Sequence, residues 1–160
     1  MLIFIEGPDG SGKSTLIKQL SEKYIVGRVP RAAEESTVWN FFKRCPKDIT
    51  ILFDRSPITE VVYRTVDKNP AKFSYLSLLG WLRKNKVIFC NNIKAFENAI
   101  TRGEDNITDK KQHSEIAHTY QTIVNMLRSE GYQIMDYDWQ EQTLDDVIKF
   151  IEGGNEDDVR

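Results

Sequence analysis

Cysteine and histidine are scarce in this chain of 160 residues, at two apiece. Cys45 and Cys90 are too few and too far apart for a disulfide framework or a thiolate zinc site. His113 and His118 read as helix-face residues and leave little material for histidine-based catalysis. No uninterrupted apolar stretch approaches the length of a membrane span. Neither sign of charge dominates: the net charge is -2, and the acidic end with Glu152, Glu156, Asp157 and Asp158 accounts for it, so the rest of the chain is close to neutral. A sequence-independent nucleic-acid binder usually carries a basic excess, which makes nucleic acid an improbable partner. Charges at Glu6, Asp9 and Lys13 interrupt the N-terminal segment before a secretory signal could form. The expectation is a cytoplasmic protein without a membrane partner, in which Asn106-Ile107-Thr108 is a chance match to a glycosylation sequon.

What is present is a regular alternation. Short apolar strand candidates recur at Leu2–Ile5, Tyr24–Val29, Thr50–Phe53, Lys86–Cys90 and Tyr132–Met135. Helix-length segments fall between and after them, near 14–23, 34–43, 58–67, 71–84, 93–102, 110–130 and 142–152. That order argues for an α/β protein with a five-stranded parallel sheet between layers of helix. The length suits one domain, expected over residues 1–152, with 153–160 as a frayed acidic tail. In open parallel sheets ligands bind beyond the carboxyl ends of the strands, so the residues that follow each strand are where chemistry should lie.

The first such segment is the most informative. Gly7 to Ser14 reads G-P-D-G-S-G-K-S and fits G-x-x-x-x-G-K-[ST], the phosphate-cradling P-loop, with an apolar strand before it and a helix pattern after it. Gly7, Gly10 and Gly12 allow positive φ and close approach of the backbone, so that the N–H groups of Asp9 to Thr15, Ser11 included, converge on phosphate at a helix N-terminus. Lys13 supplies a positive charge for the terminal phosphates, and Ser14 can ligate Mg²⁺. The second segment follows I-T-I-L-F at 49–53 and begins Asp54-Arg55-Ser56. A carboxylate there can hold Mg²⁺ opposite the P-loop hydroxyl, and the arginine can neutralise phosphate oxygens. A P-loop for a triphosphate, a metal-site acid and arginines at one sheet edge describe phosphoryl transfer, with ATP as donor and Mg²⁺ as cofactor.

These segments together resemble the thymidylate kinase family. F-I-E-G-P-D-G-S-G-K-S-T is similar to that family's opening, in which an acidic residue inside the P-loop contacts the deoxyribose 3′-hydroxyl, the place held by Asp9. D-R-S-P-I-T-E-V-V-Y is similar to its Asp-Arg segment, with Thr59 and Tyr63 at the matching offsets; the family's tyrosine lies under the sugar and disfavours a 2′-hydroxyl. I-K-A-F-E-N-A-I-T-R-G-E-D-N resembles the segment leading into the lid, here about 102–112, with Arg102 as its arginine. The resemblance implies the P-loop NTPase fold as a three-layer α/β/α sandwich, with a deoxynucleoside monophosphate as phosphate acceptor. It assigns Lys13, Asp54, Arg55 and Arg102 to catalysis and Asp9, Arg31, Arg55, Thr59 and Tyr63 to the acceptor, with Arg28 as the alternative to Arg31. A homodimer is compatible with it.

Two departures bear on the base. Only Arg31 to Asp48 lies where the family has a long helix carrying its base-reading residues, so Trp39, Phe41 and Phe42 are the candidate stackers. Glu60 stands where the family often has a small or amide residue. A carboxylate could accept from guanine N1–H and its amino group together, whereas thymine offers a single donor between two carbonyls. Glu60 could equally pair with Arg64 at i+4. The expected acceptor is dTMP, with dGMP as the serious alternative. A deoxynucleoside or polynucleotide 5′-hydroxyl kinase comes next, then a non-catalytic P-loop switch. Tyr137 and Trp139, beyond the fifth strand, are candidates for the donor adenine, and Lys110 and Lys111 for the lid.

Overall fold

The structure is a computed structural model that describes residues 1–29, 34–70, 74–92, 94–101 and 109–153. Five strands, β1 (Leu2–Glu6), β2 (Ile25–Arg28), β3 (Ile51–Asp54), β4 (Lys86–Cys90) and β5 (Ile134–Tyr137), form one sheet in the order β2-β3-β1-β4-β5. Every pairing is parallel. The helices are α1 (Lys13–Leu20), α2 (Glu35–Lys43), α3 (Pro57–Val66), α4 (Tyr75–Leu82), α5 (Ala95–Thr101), α6 (Lys110–Ser129) and α7 (Leu144–Glu152). Among the described residues no helix is long and apolar enough to cross a membrane.

Strand periodicity divides the core in two, because successive side chains leave opposite faces of a sheet. Leu2 and Phe4, Ile51 and Phe53, and Val87 and Phe89 face α2, α3, α4 and α6, where Val38, Phe42, Ile58, Val62, Leu78, Leu82, Tyr120 and Val124 meet them. Ile3 and Ile5, Leu52, Ile88 and Cys90 face α1 and α7 through Leu16, Leu20, Val147 and Ile151. The aromatic residues of the short segment after β2 lie in the first of these layers. Phe42 is buried and stacks on Trp81 at 4.3 Å between ring centroids, Phe41 meets Phe53 at 5.8 Å, and Trp39 lies 5.5 Å from Trp81. These contacts make all three part of the hydrophobic packing rather than of the P-loop surroundings.

The fifth strand runs two residues later than the apolar pattern at 132–135 suggests. Gly131, at φ 84°, ends α6 in a left-handed turn, and the Tyr132 amide then closes back on the Leu127 carbonyl at 3.1 Å. That is the hydrogen-bond pattern of a glycine helix stop, so Tyr132 belongs to the cap of α6. The strand extends instead to Tyr137, paired with Cys90. At the opposite sheet end the buried Lys86 ammonium donates to the Phe150 carbonyl at 2.8 Å and to those of Ile151 and Gly153, capping the C-terminus of α7.

Candidate active site

The carboxyl ends of β1, β3 and β4 converge around residues 7–13. Gly7, Gly10 and Gly12 adopt φ of 139°, 82° and 96°, values that L side chains rarely take. At Gly7 space is lacking as well: a Cβ there would lie 2.4 Å from the Cys90 carbonyl oxygen of β4. Gly12 is the N-cap of α1 and provides no side-chain acceptor. The caps of α3, α6 and α7, by contrast, are Ser56, Asp109 and Thr143, each accepting a backbone N–H. The first turn of α1, with Ser14 and Thr15 exposed, is therefore free to direct its N–H groups at an anion.

Lys13 is folded under this loop. Its ammonium donates to the Pro8 carbonyl at 2.6 Å and lies 3.5 Å from Ser11 Oγ, and the residue is 6% exposed. Burial, then the charge of Arg55, lowers its pKa to about 8. A charge held under such strain of desolvation is stabilised by any phosphate that reaches it.

Arg55 leaves β3 with φ 72°, a left-handed conformation that costs a non-glycine residue about 1–2 kcal/mol. Its amide donates to the Ile5 carbonyl at 3.0 Å, and its guanidinium forms an ion pair with Asp9 of the P-loop. The same guanidinium donates to Tyr120 OH at 3.4 Å and lies 5.8 Å from the centroid of the Tyr63 ring. Tyr63 OH donates to the other Asp9 oxygen at 3.3 Å. Burial pushes the Tyr63 phenol up to about 12, so it is a neutral donor at physiological pH. Asp9, Arg55 and Tyr63 thus form one contiguous group beside the P-loop.

Three further residues support this group, none of which the sequence assigned to the site. Glu6, the last residue of β1, is fully buried and accepts from Ser56 Oγ, from Thr59 Oγ1 at 2.7 Å and from Tyr120 OH at 3.2 Å. Burial raises its pKa against the opposing pull of the Ser56 and Thr59 hydroxyls. Tyr120 of α6 also lies 2.8 Å from Thr59 Oγ1. His113, one helical turn into α6, has Nε2 3.1 Å from the Asp9 carbonyl, which can only accept, so this nitrogen carries the proton. An acidic residue closing an otherwise apolar strand was the visible signal for Glu6; Tyr120 and His113 had none beyond their place on an amphipathic helix.

The other expected site residues divide. Thr59 directs its hydroxyl at Glu6 and Tyr120. Glu60 is ion-paired with Arg64 one turn along α3 at 2.9 Å. Arg28 is exposed at the end of β2, in register with Asp54. Arg31 and Arg102, and the lid apart from 109–112, lie outside the described residues, as does the tail from 154. Trp139 is 50% exposed and lies over the start of α1, where it and Tyr137, Gly12, Thr15, Asn98 and Thr101 line a cavity of about 300 Å³. Asp54 is half-buried and, among the described residues, its carboxylate has no hydrogen bond or ion pair. It and the exposed Ser14 fit a Mg²⁺ ion carried in with a triphosphate. No group of three or more His, Cys, Asp or Glu able to hold a metal occurs among the described residues, so phosphate and water oxygens would complete the coordination.

An all-parallel sheet flanked by helices, with the P-loop between its first strand and first helix, defines the P-loop NTPase fold. Solved structures share it. The YorR protein of Bacillus subtilis, in complex with phosphorylated GDP, is similar with a TM-score of 0.69 and 23% identity, over 94% of this chain and 93% of that one. Deoxyadenosine kinase from M. mycoides, with dCMP and dCDP bound, has a TM-score of 0.63 at 17% identity, over 96% and 97%. Thymidylate kinase from Candida albicans has 0.59 at 16%, over 94% and 88%. At these identities the likeness is one of fold. No family model matches the chain. Among curated proteins, 76 residues are 32% identical to the ribosome biogenesis protein bms1 of Schizosaccharomyces pombe, 43% of this chain but 7% of that protein's length.

Proposed function

We propose that the chain is an ATP-dependent kinase of a deoxynucleoside monophosphate, with dTMP as the leading acceptor and dGMP as the alternative. The observation that carries this reading is the strained Arg55, half-buried beside the P-loop and held jointly by Asp9 and Tyr120. A nucleotide switch needs the P-loop but has no use for a second cation kept in a costly conformation at its edge. In this reading the P-loop backbone from Gly7 to Thr15 holds the donor phosphates and Lys13 bridges the terminal pair. Ser14 and Asp54 carry Mg²⁺, which would neutralise charge on the transferred phosphoryl group. Arg55 bridges to the acceptor phosphate together with Arg31 or Arg28, Arg102 closes from the lid, and Trp139 packs on the donor base. The acceptor is already an oxyanion, so no general base is needed.

One observation favours a second acceptor class. A 5′-hydroxyl must lose a proton, and in that reading the Asp54 carboxylate, which has no hydrogen bond or ion pair among the described residues, would accept it. The deciding experiment measures ADP release from ATP with dTMP, dGMP, dAMP, dCMP, the matching nucleosides and a 5′-hydroxyl oligonucleotide, at equal concentration. Turnover with monophosphates alone is expected; turnover confined to nucleosides or the oligonucleotide overturns the phosphate-acceptor reading. Repeating the panel with Glu60→Gln tests the base. Because Glu60 is paired with Arg64, the variant should leave the order of the bases unchanged, and a selective loss of dGMP would show that the carboxylate turns to read guanine.

The sugar gives a separate test. Tyr63 and Asp9 are hydrogen-bonded, so a sugar whose 3′-hydroxyl reaches Asp9 packs its C2′ against the phenol ring. Deoxyribonucleotides should exceed ribonucleotides in kcat/KM, and Tyr63→Ala should shrink that ratio by removing the steric barrier. Equal efficiency on both sugars in the unmodified protein would remove the role given to Tyr63.

A further inference from the structure

Glu6 is fully buried, so it touches neither nucleotide, yet three hydroxyls converge on it, and two of them, Ser56 and Thr59, belong to the residues just after Arg55. The chain must pass from Asp54, the end of β3, to Ser56, the cap of α3, with Arg55 as the single residue between. The Arg55 amide is already fixed on the Ile5 carbonyl, and Ser56 already serves as the cap of α3, its Oγ accepting from the Ile58 amide at 3.0 Å while its proton goes to Glu6. With its own amide and the following residue both pinned, residue 55 is held out of the right-handed and extended regions. We infer that Glu6 is a positioning residue for Arg55, a buried carboxylate that clamps Ser56 and Thr59 and thereby holds the left-handed turn that aims the guanidinium at the phosphate site.

A carboxylate suits this task because it can only accept, and its two oxygens offer enough lone pairs for all three hydroxyls. An amide has one oxygen, and its NH₂ group would face donors. Tyr120 ties the same carboxylate to the guanidinium itself, since its OH lies within hydrogen-bond distance of both Glu6 and Arg55. The inference rests on the kinase reading for its catalytic consequence but not for its geometry, and the two are tested separately.

The geometric test is a pair of crystal structures, of the unmodified protein and of Glu6→Gln. In the variant residue 55 is expected to leave the left-handed region and its ion pair with Asp9 to open; an Arg55 that keeps both overturns the inference. Should Glu6→Gln not fold, Thr59→Val, nearly isosteric and only partly buried, removes one arm of the clamp and is read in the same way. The catalytic test is a double-mutant cycle on kcat/KM for the acceptor. Glu6→Gln should cost roughly 10- to 100-fold, in line with an ångström-scale misplacement of a catalytic group, with KM for ATP within about threefold. In an Arg55→Ala background it should cost nothing further. Additive losses would mean that Glu6 acts by another route and would overturn the inference. If residue 55 relaxes as expected but the unmodified protein phosphorylates no monophosphate, the acceptor reading fails and the positioning of Arg55 stands.

Discussion

Lys13→Ala should lower phosphoryl transfer by roughly 10³-fold or more, by analogy with other cations that act on the transferred phosphoryl group, and should not unfold the protein. The two halves of this expectation have one cause. In the free protein the ammonium is buried against Pro8 and Ser11 and its pKa is lowered from 10.5 to about 8. The charged lysine therefore opposes folding at neutral pH, by about 3 kcal/mol if the whole shift is counted. Between pH 8 and 10.5 the unfolded chain binds a proton that the folded one has released, so stability should rise with pH across that window and be flat below it. Lys13→Met should be at least as stable as the unmodified protein at pH 7 and should lack this rise. Denaturant unfolding across the pH range reads the stability, and steady-state turnover reads the activity. Calorimetry in buffers of different ionisation heat should find proton uptake when ATP binds near pH 9, as phosphate restores the charge. A Lys13→Ala enzyme with most of its turnover would end the kinase reading.

Arg55 should give a loss of similar size together with a separate signal in stability. Arg55→Ala and Arg55→Gly both remove the guanidinium from Asp9 and Tyr120, and each should cost about 10³-fold or more in kcat/KM for the acceptor. They differ only in the backbone. At φ 72° alanine keeps the left-handed strain and glycine does not, so Arg55→Gly should be more stable than Arg55→Ala by about 1 kcal/mol. Thermal or urea denaturation of the two variants measures the difference. Equal stabilities would mean that the turn is not strained, and the argument from strain to function would lose its premise.

Much of this architecture was legible because its signals are local. The P-loop spacing, the apolar runs of β1, β3 and β4 and the glycines at 7, 10 and 12 each depend on residues that are neighbours in sequence. The grouping of Asp9, Arg55 and Tyr63 was legible for a different reason: two motifs at adjacent strand ends meet once β1 and β3 pair. The hydroxyls gathered behind Arg55 were not legible. Glu6 reads as the end of a strand, and nothing near it in sequence announces that Ser56, Thr59 and Tyr120 will deliver hydroxyls to it. The aromatic residues at 39–42 and the register of β5 were misleading for one shared reason. A short apolar or aromatic run looks the same whether it faces a ligand, fills a core or closes a helix, and Phe42 and Tyr132 turned out to do the second and third.

The order β2-β3-β1-β4-β5 has a consequence for how the chain reaches its native state. The strand that carries the P-loop is the central one: Leu2 pairs with Ile51 and Ile3 with Lys86, so both its neighbours arrive from far downstream. Contacts of such separation form slowly, because the intervening chain must close first. Until β4 docks, Gly7 has no Cys90 carbonyl to lie against, and until β3 docks, Arg55 has no Asp9. In the kinase reading, nucleotide would therefore find its full site only once β3 and β4 have docked. It would act as a brake on unfolding rather than as a template for folding, and a newly made chain would cross its slowest step unaided.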